Sequence, residues 1–214
     1  MPRQARAEAT RRRIIDSAVD LFSELGYGET GLADVLQRAG VSKGAFYYHF
    51  DSKESVAAAI IEEYTLRSKE SMRTRVDAAL PLLDQIIVAT FVAAEMLETD
   101  KTSRIGNQLL QSLGQVSARA INVYREWSRE FSGVLAKGIE DAGLRQGPDA
   151  VEAAEAIWSA VLGCHLLSSA FNDDAYARLA TMWRSVMRPL VPAQSWPHYD
   201  ELLSRTAQSL QVVG

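Results

Sequence analysis

The sequence predicts an all-α fold. Almost every segment carries apolar residues at helical spacing, and no stretch shows the strict alternation that is typical of a half-buried strand. Short breaks containing Gly, Pro or Ser/Asn/Asp separate these segments, as expected at the ends of helices. The chain has 214 residues, which is enough to form a hydrophobic core without a metal or a disulfide.

The first two helices are predicted from residues 8–39. Between residues 8 and 25 the apolar residues lie on one helical stripe, and Gly26 ends it: Ile14, Ile15, Ala18, Leu21, Phe22 and Leu25. A short helix follows, with apolar positions at 32, 35, 36 and 39. Thr30 can cap its start, and Gly40 ends it because glycine adopts a positive φ freely.

The next stretch, "VSKGAFYYHFDSK" at 41–53, predicts the second half of a helix-turn-helix. The three residues "AGV" form the turn, and Ser42 caps the following helix. Asp51, with Glu54 three residues later, is expected to cap a fourth helix that runs toward Met72. Four helices in about 70 residues are typical of one small domain.

The rest of the sequence predicts long helices with brief breaks. Pro81 opens a helix toward Leu97, "GQVS" separates two more, one helix ends near Ala142, and another starts after Pro148. Three prolines interrupt the tail: Pro189, Pro192 and Pro197. Residues 154–167 are apolar nearly all round, which indicates cover on both sides and predicts that one side contacts a second subunit.

Composition narrows the class of protein. Cys164 is the only cysteine, which excludes an internal disulfide and favours a reducing cytoplasm. No run approaches 18 apolar residues, so we expect no membrane span. The net charge is −4, yet residues 1–55 hold eight Lys or Arg and eight Asp or Glu, so the excess acid lies in the rest of the chain. Five arginines face one acid in the first 13 residues, which is either a frayed, solvated terminus or a basic arm.

The helix predicted at 43–49 has the residues of a DNA-reading surface. In a helix-turn-helix the second helix lies in the major groove. Lys43 can reach a guanine edge or a phosphate, Gly44 removes bulk, and the tyrosines and histidine can bind phosphates, sugars or thymine methyls. Lys53, at the start of the next helix, suits a phosphate. Val41, Phe46 and Phe50 are expected to face inward, toward the stripe of the first helix.

Residues 8–56 resemble the DNA-binding domain of the TetR family of bacterial repressors. The match runs through "GYGETGLADVLQRAGVSKGAFYYHFDSKESV", although Gly31 replaces the usual Thr and Phe46 the usual Leu. The resemblance implies a DNA-binding domain at 1–55 and a ligand-binding and dimerisation domain at 56–214. It implies eight DNA-contact or capping positions: Thr30, Ser42, Lys43, Gly44, Tyr47, Tyr48, His49 and Lys53.

Four segments resemble the γ-butyrolactone receptors of actinomycetes, a subgroup of that family: residues 3–15, "YREW", "AVLGCHLL" and "LATMWRSVMRPLVP". The resemblance implies that Trp127 lines a ligand pocket, although a lone Trp is also a common packing residue. Tyr64 is either a further ligand contact or a packing residue. Val161 stands where a Thr would offer a hydrogen bond, so we expect an apolar ligand or a donor elsewhere. The resemblance also implies a homodimer built from the helices at 151–171 and 175–190.

The sequence indicates no enzyme. Common catalytic and nucleotide-binding motifs are absent, and Cys164-His165 lacks companions at metal-ligand spacing, so we expect no catalytic residue, metal or cofactor. The expected function is a cytoplasmic repressor that binds operator DNA and responds to a small apolar effector. One alternative is a repressor of the same family that senses an antibiotic, drug or lipid. A more remote one is a helical adaptor that binds another protein.

Overall fold

The computed structural model describes residues 2–113, 118–145 and 147–211, and within these ranges it contains ten α-helices and no strand. The helices are α1 (Pro2–Leu25), α2 (Leu32–Ala39), α3 (Lys43–His49), α4 (Lys53–Arg75), α5 (Leu82–Thr99), α6 (Lys101–Leu113), α7 (Ala118–Asp141), α8 (Pro148–Phe171), α9 (Ala175–Met187) and α10 (Trp196–Gln211). The all-α prediction is confirmed.

Most predicted helix ends are confirmed. Gly26 and Gly40 follow α1 and α2 with φ of 86° and 61°, in the left-handed region. Asn172 ends α8 with a φ of 53°, and the Asp174 carboxylate accepts a bond from Ala177 N at 2.9 Å to cap α9. The break predicted at "GQVS", residues 114–117, lies outside the described residues.

Two predicted caps are wrong. The N-cap of α2 is Gly31, whose N–H donates to Asp34 Oδ2 at 2.8 Å, whereas Thr30 donates its hydroxyl to the Gly26 carbonyl at 2.8 Å. Asp51 lies one residue too early to cap α4, which begins at Lys53. Ser52 takes that place through reciprocal bonds with Ser55. The Ser55 N–H donates to the Ser52 hydroxyl at 3.2 Å, and the Ser52 N–H donates to the Ser55 hydroxyl at 3.1 Å.

The chain divides into two compact units. Unit 1 comprises Met1–Lys69 and Asp100–Tyr124, and unit 2 comprises Glu70–Thr99 and Arg125–Gly214. Helices α4 and α7 each contribute residues to both units. Unit 1 therefore extends beyond residue 55, and the functional boundary predicted there stays a prediction.

Unit 1 forms around α1. Its apolar stripe is buried as predicted except at Leu25, which is 53% exposed, and α2, α3 and α6 pack on it. The main buried side chains of this core are Ile14, Ile15, Ala18, Phe22, Val35, Phe46, Phe50, Val56, Ile60 and Ile105. The three helices of the predicted DNA-binding region thus share one core.

Unit 2 has its own core, in which α9 packs against α5, α8 and α10. Trp183 is fully buried there, and its indole N–H donates to the Thr90 hydroxyl at 2.9 Å. Asp84, also buried, lies 2.7 Å from the ring of His198. These contacts join α5 to α9 and α10.

Helix α8 is unusually apolar for a helix that is not enclosed. By length and composition alone it could cross a membrane, as could the mostly buried core helices of many soluble proteins, and 33% of its most apolar 18-residue window is buried. Four large apolar side chains on it are exposed: Val151, Leu166, Leu167 and Phe171. We therefore still expect a second protein surface to cover this side of α8.

Candidate DNA-binding surface and effector site

The inner face of α3 anchors the helix in unit 1. Ser42 caps it by accepting a bond from Ala45 N at 3.2 Å. Phe46 is fully buried and Phe50 is 6% exposed, with their ring centroids 5.9 Å apart. The inward orientation predicted for these two rings is confirmed, whereas Val41 is only half-buried. A helix of seven residues is held in place by its aromatic side chains rather than by its own length.

The outer face of α3 is open and carries donors. Tyr47 is 47% exposed and Tyr48 is 73% exposed. Lys43 is exposed, with its ammonium 5.9 Å from the Tyr47 ring, and the His49 ring packs edge-on against Tyr48 at 4.9 Å. A Cβ added at Gly44 would meet nothing within 4 Å. The helix therefore presents a cation, two phenols and an imidazole beside a gap in the side-chain surface.

Arg11 on α1 approaches the C-terminal end of α3, at the buried Phe50 ring. Its guanidinium lies 5.3 Å from the centroid of that ring. The sequence indicated a run of basic residues in α1, but not which of them approaches α3. That information required the packing of α1 on α3.

Lys53 is engaged within the protein. Its ammonium donates to the carbonyls of Tyr27 and Thr30, both at 2.7 Å, and lies 4.3 Å from the Tyr27 ring centroid. An ammonium has three N–H donors, so two of them already hold the α1–α2 turn. Thr30 is 1% exposed and its hydroxyl donates within the fold, so its contact with DNA stays a prediction.

An ion network ties three helices of unit 1 together. Glu63 on α4 accepts bonds from Arg12 on α1, at 2.7 Å, and from Arg67. Arg67 also reaches Asp100 at 3.1 Å, immediately before α6. Burial raises the pKa of Glu63, but the bonds from the two arginines outweigh it, so the pKa lies below its ordinary value. The carboxylate is therefore charged at neutral pH.

Tyr64 packs inside unit 1. It is 2% exposed, its hydroxyl donates to Asn107 Oδ1 at 3.4 Å, and burial raises its pKa. The backbone of Gly106 on α6 runs directly over it, so that a Cβ there would overlap the Tyr64 Cβ. Tyr64 belongs to unit 1, whereas Trp127 and Val161 belong to unit 2. Its role as a ligand contact stays a prediction.

Unit 2 contains an aromatic cluster, which we define as Trp127 and Phe131 on α7 and Trp158 on α8. The Trp158 ring lies 5.7 Å from Trp127, edge-on, and 4.4 Å from Phe131. Trp127 is half-buried, and Val161, one turn after Trp158, is 2% exposed. Sequence reasoning singled out Trp127 and missed Trp158, because the pairing of α7 with α8 is not visible in the local pattern of either helix.

Two acids that could have attracted a cationic ligand are neutralised. Glu95 on α5 is 8% exposed and forms an ion pair with Arg75. Glu63 is held by Arg12 and Arg67. His165 is half-buried on α8, and burial lowers its pKa to about 4, so it is neutral at physiological pH.

The comparisons with known proteins agree with this geometry. The profile described as bacterial regulatory proteins, tetR family, matches residues 14–60, which cover α1 from Ile14, α2, α3 and the start of α4. The A-factor receptor protein of Streptomyces griseus is 29% identical over 189 residues, which span 87% of this chain and 66% of that protein. The alignment thus spans just under two thirds of that relative's length.

Solved structures match over almost the whole chain. CprB from Streptomyces coelicolor A3(2), described as a TetR family protein, is 30% identical with a TM-score of 0.75, covering 95% of this chain and 98% of CprB. The chain belongs to the TetR family. A γ-butyrolactone receptor described as ArpA-like is 28% identical with a TM-score of 0.75, covering 96% of this chain and 99% of the receptor. A CprB structure in complex with its biological operator sequence is 29% identical with a TM-score of 0.73, covering 95% of this chain and 99% of that one.

Membership of the TetR family explains the arrangement in unit 1. The protein is a transcriptional regulator with a helix-turn-helix, and the relatives that it matches are regulators or receptors. Across the described ranges, no group of three or more His, Cys, Asp or Glu side chains could hold a metal ion. Two of the solved structures that the chain resembles are described as γ-butyrolactone receptors.

Proposed function

We propose that this TetR-family regulator is a homodimeric repressor that binds a pseudo-palindromic operator and is released by a small apolar signal such as a γ-butyrolactone. The observation that carries the proposal is the division of α3 into two faces. Phe46 and Phe50 fix the helix from inside, while Lys43, Tyr47 and Tyr48 project from a surface with no bulk at Gly44. A major groove takes up a helix of this kind.

The proposed contacts fall into two classes. Lys43, near the start of α3, reaches a base edge or a phosphate, and the hydroxyls of Ser42, Tyr47 and Tyr48, with the ring of His49, donate to phosphate oxygens. Gly44 lets the helix backbone approach the DNA. Lys53 acts mainly by holding the turn before α2, with one N–H left for a phosphate.

The proposed dimer interface uses α8 and α9. Two copies would pair these helices as a four-helix bundle, which covers the exposed leucines and Phe171 of α8 with protein. Two α3 helices related by a two-fold axis then read half-sites about 34–36 Å apart or a multiple of that spacing. A regulator that binds DNA works in the cytoplasm, so the apolar face of α8 is covered by a partner copy rather than by lipid.

The proposed effector site is the aromatic cluster of Trp127, Phe131 and Trp158, with Val161 beside it. Aromatic and aliphatic side chains with few polar groups are typical of small-molecule sites. The side chains of the cluster and Val161 carry no charge, and this supports a neutral ligand such as the lactone over a cationic drug.

Release of the operator requires the effector to prefer a conformation that does not fit DNA. A shift from 1:99 to 99:1 between two conformations takes about 5.5 kcal/mol of differential affinity. Within unit 1, the network of Arg12, Glu63, Arg67 and Asp100 connects α1 to α4 and to the start of α6. A displacement of α4 is therefore transmitted to the helix on which α3 is packed.

A gel shift on DNA from the gene's own upstream region tests the proposal. We expect a specific complex that synthetic γ-butyrolactones dissociate and that hydrophobic cations leave intact, with unrelated DNA of equal length as the control. A specific complex that is indifferent to butyrolactones but released by an antibiotic, drug or lipid would replace the effector and keep the repressor. No specific complex would refute the repressor and favour the protein-binding adaptor.

A further inference from the structure

Trp158 carries a buried hydrogen-bond donor without an acceptor. Its side chain is 8% exposed, and its indole nitrogen is fully shielded from solvent, with no hydrogen-bond partner among the residues that the structure describes. Most buried polar groups in proteins are paired, and leaving one unpaired has a substantial free-energy cost. An orphan donor of this kind therefore calls for an explanation.

A second tryptophan in the same unit shows how this fold satisfies a structural indole. Trp183 is completely buried, and its N–H donates to the Thr90 hydroxyl at 2.9 Å. Thr90 also donates to the Ile87 carbonyl at 2.7 Å, so the whole chain of bonds is closed. Trp158 has no equivalent of Thr90, although its burial is almost as complete.

The surroundings of Trp158 are those of a ligand site rather than of a water site. Phe131 and Trp127 pack on its ring at 4.4 and 5.7 Å, and Val161, one turn later, contributes only methyl groups. A buried water needs two to four polar partners to be retained, and neither Phe131 nor Val161 offers any. A ligand with an apolar body and one acceptor oxygen satisfies the indole N–H and also covers the rings.

We propose that Trp158 Nε1–H is the hydrogen-bond donor that recognises an acceptor oxygen of the effector, and so selects a carbonyl or lactone over a hydrocarbon of the same shape. The assignment rests on the proposed function, since it places the effector in the aromatic cluster. It also gives the polar partner that Val161 cannot supply. Trp127 and Phe131 then serve as the apolar walls.

The test is a double-mutant cycle that combines one substitution in the protein with one change in the ligand. The ligands are a synthetic alkyl-γ-butyrolactone and its cyclopentane analogue, which has the same ring size and alkyl chain but no oxygen. Affinities for full-length wild-type protein and for Trp158→Phe are measured by isothermal titration calorimetry. We expect the substitution to weaken lactone binding about tenfold more than binding of the cyclopentane analogue, because it removes one hydrogen bond and keeps a ring.

The matched control is Trp196→Phe, which removes an indole N–H from α10, where the ring lies 4.7 Å under the Arg188 guanidinium. This variant should weaken neither ligand selectively. A readout on wild-type protein covers the case in which Trp158→Phe does not fold: in an isotope-labelled sample, the Trp158 indole proton should move downfield on adding the lactone and not on adding the analogue.

Three results would count against the assignment. If Trp158→Phe weakens both ligands equally, or if the lactone leaves the Trp158 indole signal unmoved, the donor role is wrong while the lactone remains the effector. If the wild-type protein binds no lactone at all, the proposed effector fails, and the assignment fails with it.

Discussion

Helices α3 and α8 both expose large apolar side chains, but of different chemistry. On α3 the exposed groups are Tyr47 and Tyr48, whose rings end in hydroxyls, and Lys43 lies beside them. On α8 they are Leu166, Leu167 and Phe171, which have no polar end. An amphipathic ring suits a wet, charged partner, whereas a run of leucine and phenylalanine suits a dry contact with another protein surface.

The two helices also differ in how they are held. Helix α3 has seven residues and depends on two buried phenylalanines and on the neighbouring helix α1. Helix α8 has 24 residues, and its buried side belongs to the core of unit 2 through Ile157, Trp158 and Val161. Exposure of apolar surface therefore has two meanings in this protein, and each meaning predicts a different response to substitution.

The largest expected effect is on α8. Replacing Leu167 and Phe171 together by Asp places two charges on one face, since the residues are four apart, and a dry interface does not tolerate buried unpaired charge. We expect the protein to become monomeric and the operator affinity to fall at least about a hundredfold, because the second half-site no longer contributes. Analytical ultracentrifugation and gel shift measure the two effects.

The control for this prediction is Leu66→Asp on α4. Leu66 is 69% exposed, and the same change there should leave both the dimer and operator binding intact. A doubly substituted α8 variant that sediments as a dimer would show that this face is not the interface.

Lys43 offers the next largest effect. Lys43→Ala should lower operator affinity about tenfold and, if the ammonium contacts a phosphate, reduce the slope of log K against log salt by about one, with the dimer unaffected. Lys137→Ala is the matched control, since Lys137 is an exposed lysine of α7 that pairs with Asp141 at 3.1 Å. Equal operator affinities for wild type and Lys43→Ala would remove Lys43 from the contact surface.

The difference between the two helices explains what the sequence could predict. Local signals were sufficient for the ends of α1 and α2, because Gly26 and Gly40 adopt a positive φ. They were also sufficient for the two faces of α3, where five bulky residues cannot all point inward. The caps at Thr30 and Asp51 were misplaced by one residue because Gly31 and Ser52, the adjacent residues, also favour the cap position.

Contacts between residues distant in sequence could not be predicted. The engagement of Lys53 with two carbonyls depends on the path of the α1–α2 turn, and the Arg12–Glu63 pair depends on how α1 packs beside α4. The orphan donor of Trp158 is visible only when every neighbour of the indole is known. These features come from packing, and hydrophobic periodicity carries no information about them.

At Gly44 a substitution is expected to raise the stability of the protein and to lower its affinity for the operator. The Cβ position there is empty, so Gly44→Ala should raise the free energy of unfolding by a few tenths to about 1 kcal/mol through the better helix propensity of Ala. The added methyl occupies the space that DNA would fill, so operator affinity should fall. Thermal unfolding and gel shift measure the two quantities.

Gly133→Ala on α7 is the control for Gly44, since its Cβ position is also empty and exposed. It should stabilise the protein and leave operator affinity unchanged. If Gly44→Ala also leaves the affinity unchanged, DNA does not approach α3 closely at this point.

The smallest expected effect concerns the ion network of Arg12, Glu63, Arg67 and Asp100. Glu63→Gln should lower the free energy of unfolding at pH 7 by at most about 1 kcal/mol, because both arginine partners are more than 40% exposed and solvent screens the pairs. The folded-state pKa of Glu63 lies below its ordinary value of 4.5, so the carboxylate stabilises the fold fully above that pH. This contribution is lost as the pH falls through the lowered pKa.

Urea unfolding of wild type and Glu63→Gln across this pH range measures the difference. The two stabilities should differ at pH 7 and converge in acid, whereas Glu29→Gln, at an exposed position in the α1–α2 turn, should leave the stability at pH 7 unchanged. A gap that stays constant into acid would mean that Glu63 acts through packing rather than charge. In that case the contact between α1 and α4 would depend on packing, like the contact predicted for α8, and not on charge.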